Sequence, residues 1–211
     1  MNFVLIFDID CMKILIVGGK GTIGKKVSEY FSQNNEVIIA GRKNGDVLVD
    51  ISNSESIVEM FKIIGKIDAI ICTAGIAKWA PFNEMTEEDY YIGLNNKLMG
   101  QVNLIRIGRD YLNQGGSVTL TTGILADDPV PMTTAAAMVN GAIHSFIKAV
   151  VLEIEKGIRI NVVAPGLVED SAIKFKAYFP GYSAIPMNRV VNGYIRSVEG
   201  KGTGEVIRIY S

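Results

Sequence analysis

The sequence predicts an α/β domain, a doubly wound three-layer arrangement with a mostly parallel sheet of about seven strands between two layers of helices. Three observations carry this expectation. Apolar runs of strand length recur along the chain and alternate with longer amphipathic stretches of helical length. The runs are continuously apolar rather than alternating, as strands buried on both faces require. A strand–helix–strand repeat of this kind is resolved by parallel strands whose connecting helices cover the sheet.

The elements follow in order. KILIVGG (13–19) is the first strand, and a helix runs from about 21 to 34. EVIIAGR (36–42) is the second strand and DVLVDI (46–51) a short third. SESIVEMFKIIG (54–65) has the apolar spacing of an amphipathic helix, with Ser54 as the expected N-cap. IDAIICTAG (67–75) is the fourth strand. Residues 86–112 read as one long helix or a broken pair, opened by Thr86 and Asp89 as a capping box with Asp in place of the usual Glu or Gln. GSVTLTTG (116–123) is the fifth strand, 133–156 a helix rich in small residues, and RINVVAPG (159–166) the sixth strand. EVIRIYS (205–211) is a final edge-like strand. The 211 residues suit one domain with a sizeable core. Residues 1–11 read as an N-terminal extension and 12–211 as the domain, with no repeat or linker-like shift inside it.

Composition narrows the function. Apolar residues make up 48% and charged residues 20%, which suits a folded globular chain. The net charge is −1, so there is no basic surplus to neutralise nucleic-acid phosphates or an anionic membrane. The apolar N-terminus is broken by Asp8, Asp10 and Lys13, and fits neither a signal peptide nor a membrane helix. Cys11 and Cys72 sit in or beside apolar runs and read as buried thiols of a reducing compartment, which makes a cytoplasmic protein the expectation. One histidine and two unpaired cysteines leave no pattern for zinc, and no metal site is expected.

The glycines say what the fold is for. In VGGKGTIGKKV, Gly18, Gly21 and Gly24 are spaced G-x-x-G-x-x-G at the turn from the first strand into the first helix. Such a turn lets a phosphate approach backbone N–H groups at the positive end of a helix, and the third glycine lets the helix press on the sheet. The expected architecture is therefore a Rossmann fold, with Gly18, Lys20, Gly21, Thr22, Ile23 and Gly24 holding a dinucleotide. The second strand ends Ala40-Gly41-Arg42-Lys43, with no acid to accept from a ribose 2′-hydroxyl. Arg42 can instead clamp a 2′-phosphate through charge-assisted hydrogen bonds, which favours NADP(H) over NAD(H).

With these residues in hand, the chain from Met12 onward resembles the short-chain dehydrogenase/reductase family. The resemblance rests on the glycine loop, AGR (40–42), VDI (49–51), CTAG (72–75) and GIRINVVAPG (157–166). It implies that Asp50 and Ile51 flank the adenine and that Thr73, Ala74 and Gly75 line the cofactor's ribose. It also implies that Pro165, Gly166 and Val168 border the nicotinamide. The family's chemistry uses a tyrosine as acid/base, a lysine four residues later, a serine ahead of them and an asparagine on an earlier helix.

Here the chain departs. Aligned to that helix, TTAAAMVNGAI places Ala136 at the tyrosine and Asn140 at the lysine. Thr122 is the nearest hydroxyl to the serine, though strict counting lands on Gly123. Lys97 takes the asparagine position if Gly100 matches the glycine three residues beyond it. Alanine cannot transfer a proton, so the family's usual route is closed, and Thr122, Lys97 and Asn140 become the catalytic candidates. The Asn and Lys positions carry Lys97 and Asn140 as though exchanged, so Lys97 could keep a cation in the site. Tyr90 and Tyr91 read as packing residues, and His144 as a packing or interface residue. Phe175, Tyr178, Phe179 and Tyr182 either cap a small apolar pocket or bury one another. Ala135, Ala136, Ala137, Gly141 and Ala142 allow close helix approach, and by family analogy imply a homodimer or homotetramer.

Three functions compete. The first is an NADP(H)-dependent oxidoreductase of a carbonyl or alcohol substrate with a nonstandard acid/base. The second is a catalytically inactive NADP(H)-binding sensor or scaffold. The third is isomerisation or elimination at the same site.

Overall fold

The computed structural model describes residues 11–210, so the expected N-terminal extension falls outside the described residues apart from Cys11. Seven strands form one sheet: β1 (Lys13–Val17), β2 (Glu36–Gly41), β3 (Val47–Leu48), β4 (Ile67–Cys72), β5 (Leu112–Thr121), β6 (Arg159–Pro165) and β7 (Val206–Ile209). Their order is β3-β2-β1-β4-β5-β6-β7. Each neighbouring pair is parallel, so the sheet is parallel throughout rather than mostly so. The chain order reverses between β1 and β4, and a crevice opens at the carboxyl ends of strands at such a point.

Alternation along β1 builds the two cores. Leu15 and Val17 face one side with Ile57, Phe61, Ile70, Leu104, Ile143 and Val162. Ile14 and Ile16 face the other with Val27, Phe31, Ile71, Val190 and Tyr194. The first layer is covered by α2 (Ser54–Ile64), α4 (Met99–Gly108) and α5 (Thr134–Val150), the second by α1 (Thr22–Phe31) and α7 (Met187–Glu199). Each such side chain contributes about 1.5–3 kcal/mol on burial.

Several details depart from the sequence expectation. Asn53, not Ser54, caps α2: its Oδ1 accepts from the backbone N–H groups of Glu55 and Ser56. An Asn one residue earlier reaches both N–H groups, which a serine already inside the first turn cannot do. The Thr86–Asp89 capping box is present at the start of α3 (Glu87–Gly93). The stretch 86–112 is α3, then a wider π-helical turn over Leu94–Leu98, then α4, and it ends in the start of β5. The α5 helix stops at Val150, six residues short of the expected end. Cys11 is exposed because it precedes β1, whereas Cys72 is buried.

Two helices were not anticipated: α6 (Glu169–Phe175) and α7. The α7 signal was present in the sequence, because Met187, Val190, Val191, Tyr194 and Val198 recur at helical spacing and are buried. Gly193 lets that helix seat on the sheet, since a Cβ there would lie 2.6 Å from Ile209 Cδ1.

Buried polar groups tie the ends of β4 and β5 beneath the crevice. Gln101 is fully buried on α4. Its Nε2 donates to the carbonyls of Thr121 (3.0 Å) and Ala74 (3.4 Å), and its Oε1 accepts from the Thr121 N–H. Thr121 Oγ1 donates to the Cys72 carbonyl at 2.6 Å and lies 2.7 Å from the Tyr194 hydroxyl. Replacing Gln101→Leu strands these backbone groups away from water. It should lower stability by about 1–3 kcal/mol, which thermal denaturation would read as a drop of about 2–4 °C per kcal/mol.

Candidate functional site

The register of β1 sets the geometry. Val17 pairs with Ala40 on one side and Cys72 on the other, so the glycine turn emerges between the ends of β2 and β4. Gly18 adopts a positive φ of 85° that favours glycine. Its N–H donates to the Ala40 carbonyl at 2.8 Å and its own carbonyl accepts from the Gly21 N–H at 2.9 Å. A Cβ on Gly24 would fall 2.2 Å from the Gly18 oxygen, so the helix can start this close only with glycine there. No side chain caps α1 and no acid lies in its first turn, which leaves its positive end free for an anion. Gly21, Thr22 and Lys20 are exposed at that end, and Ile23 is half-buried.

Two pockets flank this turn. The first, about 140 Å³, is lined by Gly18, Arg42, Asp50, Ile51, Ala74, Gly75 and Asn96, among others. Asp50 is held by Ser52, whose hydroxyl donates to its Oδ1 at 2.6 Å. That bond, the Ser52 N–H and the Arg42 charge keep its carboxyl below the usual range. Thr73 differs from the expectation. Its hydroxyl is directed at the carbonyls of Val17 and Gly18, at 3.2 and 3.1 Å, so it props the glycine turn rather than lining the pocket.

The second pocket, about 240 Å³, gathers Ile23, Lys97, Thr122, Gly123, Asn140, Pro165, Gly166 and Val168 beneath Trp79, Phe175 and Phe179. The three catalytic candidates come from three different elements and share this cleft. Lys97 stands on the π-helical turn, Thr122 just past β5, and Asn140 on α5. Gly75, at φ 140°, makes room for Lys97: a Cβ there would lie 2.7 Å from Lys97 Cγ. The half-buried Lys97 is stripped of much of its water, and this brings its pKa down to about 8 against a weak opposing pull from Cys72. Asn140 is 3% exposed, and its Oδ1 is buried with no hydrogen-bond partner. An orphaned acceptor of this kind is costly unless a ligand donates to it.

The aromatic residues do both things expected of them. Phe175 and Phe179 face the pocket, while Trp79 packs on Phe175 and Tyr178 at ring separations of 5.3 and 5.8 Å. Val168 and Ile185 bridge at the neck of this loop. Ala136 lies in the apolar cluster underneath, with Leu125, Leu167 and Phe179. Tyr90 bonds to Thr134 and Tyr91 to Glu87, and neither lines the cleft.

His144 packs inside the protein and also meets a hydroxyl of the second pocket's lining. It is buried on α5, and its Nε2 lies 2.8 Å from Thr122 Oγ1. The sequence signal was available: Ala136, Asn140 and His144 are spaced by four and share one helical face. Only the fold shows that this face meets the end of β5. Gln101 and Tyr194 were likewise missed, because their partners are backbone groups and hydroxyls distant in sequence.

The family model described as Enoyl-(Acyl carrier protein) reductase matches residues 25–196. The chain belongs to the short-chain dehydrogenase/reductase family. It is 44% identical to the protein lin1944 from Listeria innocua, with a TM-score of 0.93 over 95% of this chain and 100% of that one. A small-chain dehydrogenase solved in complex with NADPH is 27% identical, with a TM-score of 0.85 over 95% and 97%. The 3-oxoacyl-[acyl-carrier-protein] reductase FabG of Thermotoga maritima is 27% identical over 83% of this chain and 82% of its own. Hydroxynaphthalene reductase arp2 of Aspergillus fumigatus is 29% identical, and the match spans 64% of this chain and 50% of that protein. The family binds a nicotinamide cofactor, and two features fit one here: the glycine cradle that any Cβ would fill, and the orphaned Asn140 oxygen.

The Lys97 ammonium makes a prediction about pH. Its folded pKa, about 8, lies below the ordinary lysine value of 10.5, so between these values the unfolded chain binds more protons. Stability attributable to Lys97 therefore rises with pH over that window. In denaturant melts, the stability of wild type relative to Lys97→Met should increase from pH 8 to 10.5 and stay level below it.

Proposed function

We propose that the chain is an NADP(H)-dependent oxidoreductase of a carbonyl or alcohol substrate, working without the family's tyrosine and lysine. The observation that carries this reading is the pair of pockets flanking the glycine turn. Gly18 and Arg42 line one, and Lys97, Thr122 and Asn140 line the other under an apolar aromatic cover. Arg42 would clamp the 2′-phosphate, with Gly18, Lys20, Gly21, Thr22, Ile23 and Gly24 around the diphosphate. Asp50, Ile51, Ala74 and Gly75 would flank the adenosine end, and Pro165, Gly166 and Val168 the nicotinamide. Asn140 would accept from a cofactor or substrate hydroxyl, and Lys97 would supply the cation that the α5 position no longer carries. When bound, the nicotinamide exchanges a hydride with the substrate carbon. The chain's residues orient the two, exclude water and handle the proton.

A second reading has its own support. With Ala136 at the acid/base position, a catalytically inactive NADP(H)-binding sensor or scaffold would need the same cleft and no turnover. In either case we propose self-association, as a homodimer or homotetramer. Tyr91, Ile92, Met99 and Met138 are exposed on α3, α4 and α5, and a Cβ on Gly141 would meet open space.

A thermal-shift titration with NADPH and NADH in parallel tests the cofactor reading. At about 100 times its dissociation constant a ligand adds roughly 2.7 kcal/mol, a rise of about 5 °C or more for a chain of this size. NADPH should stabilise well above NADH. Arg42→Ala should weaken NADPH by about 10- to 100-fold, the range for hydrogen bonds to a charged group, and leave NADH nearly unchanged. Equal shifts with both cofactors in wild type would remove the Arg42 assignment.

A further inference from the structure

His144 is the only histidine in the sequence, and the fold places it inside the protein. It sits one turn beyond Asn140 on the buried face of α5, with its Nε2 2.8 Å from Thr122 Oγ1. Thr122 lines the second pocket, and its backbone N–H is fixed to the Val163 carbonyl at 3.0 Å. A threonine hydroxyl alone is too weak an acid or base to take the place of a tyrosine. A hydroxyl backed by an imidazole has a proton acceptor within reach, the same pairing that activates hydroxyl groups elsewhere in enzymology.

We infer that Thr122 and His144 form the proton relay of this cleft, with Thr122 Oγ1 facing the substrate oxygen and His144 acting through it. The inference rests on the oxidoreductase reading above. In the oxidising direction the substrate alcohol's O–H bond breaks and its proton passes to Thr122 Oγ1. The Thr122 O–H bond breaks in turn, and that proton passes to His144 Nε2. The carbinol carbon gives up its hydride, with the electron pair, to the oxidised nicotinamide. The alcohol becomes a carbonyl, the cofactor is reduced, and the imidazolium later releases one proton to water. Reduction runs the same steps in reverse, with the imidazolium as the proton source.

The groups around His144 decide its charge. Burial disfavours the imidazolium most. Asp127 favours it, held in place by Arg208 at 2.8 and 3.1 Å and by the Tyr210 hydroxyl. Arg208, Lys148 and Lys97 oppose it. The net direction is below the ordinary histidine value, so the ring is neutral at neutral pH and ready to accept the proton. Alcohol oxidation should therefore rise with pH through an inflection below the ordinary histidine value and then level off, while carbonyl reduction should fall over the same range.

The experiment uses the full-length protein, a panel of aldehydes and ketones with NADPH, and the matching alcohols with NADP. Wild type should turn over at least one pair with the stated pH profiles. His144→Gln should lower kcat about 100-fold or more, within the range of general acid–base contributions, remove the inflection and keep the wild-type Kd for NADPH. Thr122→Val should do the same, and Thr122→Ser should restore activity and profile together. NMR of the labelled histidine gives a readout independent of turnover. Its single imidazole should titrate at the kinetic inflection, and Thr122→Val should shift it. An inflection near 8 that disappears in Lys97→Met would overturn the relay in favour of Lys97. A kcat loss in His144→Gln with an unchanged pH profile would reduce His144 to a structural role. NADPH binding without turnover of any pair would overturn the relay and leave the cofactor reading standing. Absence of NADPH binding would remove both.

Discussion

A single steric constraint organises the cleft: the carbonyl oxygen of Gly18 occupies the space that a Cβ on residue 24 would need, 2.2 Å away. Because both positions are glycine, the first strand can turn directly into α1 and point the helix's free N–H groups at the crevice. Thr73 reinforces the turn from the next strand by bonding to the carbonyls of Val17 and Gly18. The turn is therefore held from two strands at once, at the place where the sheet order reverses. Any group bound between β2 and β5 must pass over it.

The floor of the second pocket is apolar, with Phe179, Ala136, Leu125 and Leu167 in one cluster. The polar groups that remain are those held by neighbouring elements. Lys97 projects from a π-helical turn whose extra residue changes the facing of the helix locally, a device found often at functional sites. Its cation is kept in an environment that brings the pKa to about 8. The opposite wall offers an amide oxygen with no partner. The pocket thus holds one cation and several hydrogen-bonding atoms.

The supporting layer is polar as well. Gln101, Thr121, Tyr194, Thr119 and Ser197 bond to one another or to strand ends beneath the cleft. Adjacent threonines divide the labour at the end of β5. Thr121 turns down into this network and Thr122 turns toward the cleft and His144. Thr121 is the last residue of β5, and the Thr122 N–H bonded to the Val163 carbonyl carries the extended backbone one residue further, so the two side chains leave on opposite sides.

The sequence by itself determined the sheet, its largely parallel sense and the glycine turn, because each depends on local pattern: continuous apolar runs and glycine spacing. It also marked Lys97, Thr122 and Asn140 as candidates. What only the tertiary structure decided are pairings across long separations. Whether Thr73 lines a pocket or props a turn depends on which carbonyls its hydroxyl meets. The same is true of His144, whose role follows from α5 resting against the end of β5, 22 residues earlier in the chain. Helix α7 was legible in its apolar spacing, but its purpose was not, since Gly193 and Tyr194 have meaning only against β6, β7 and Thr121. Local sequence sets backbone geometry, whereas the chemistry of a buried side chain is set by neighbours that the chain brings to it only on folding.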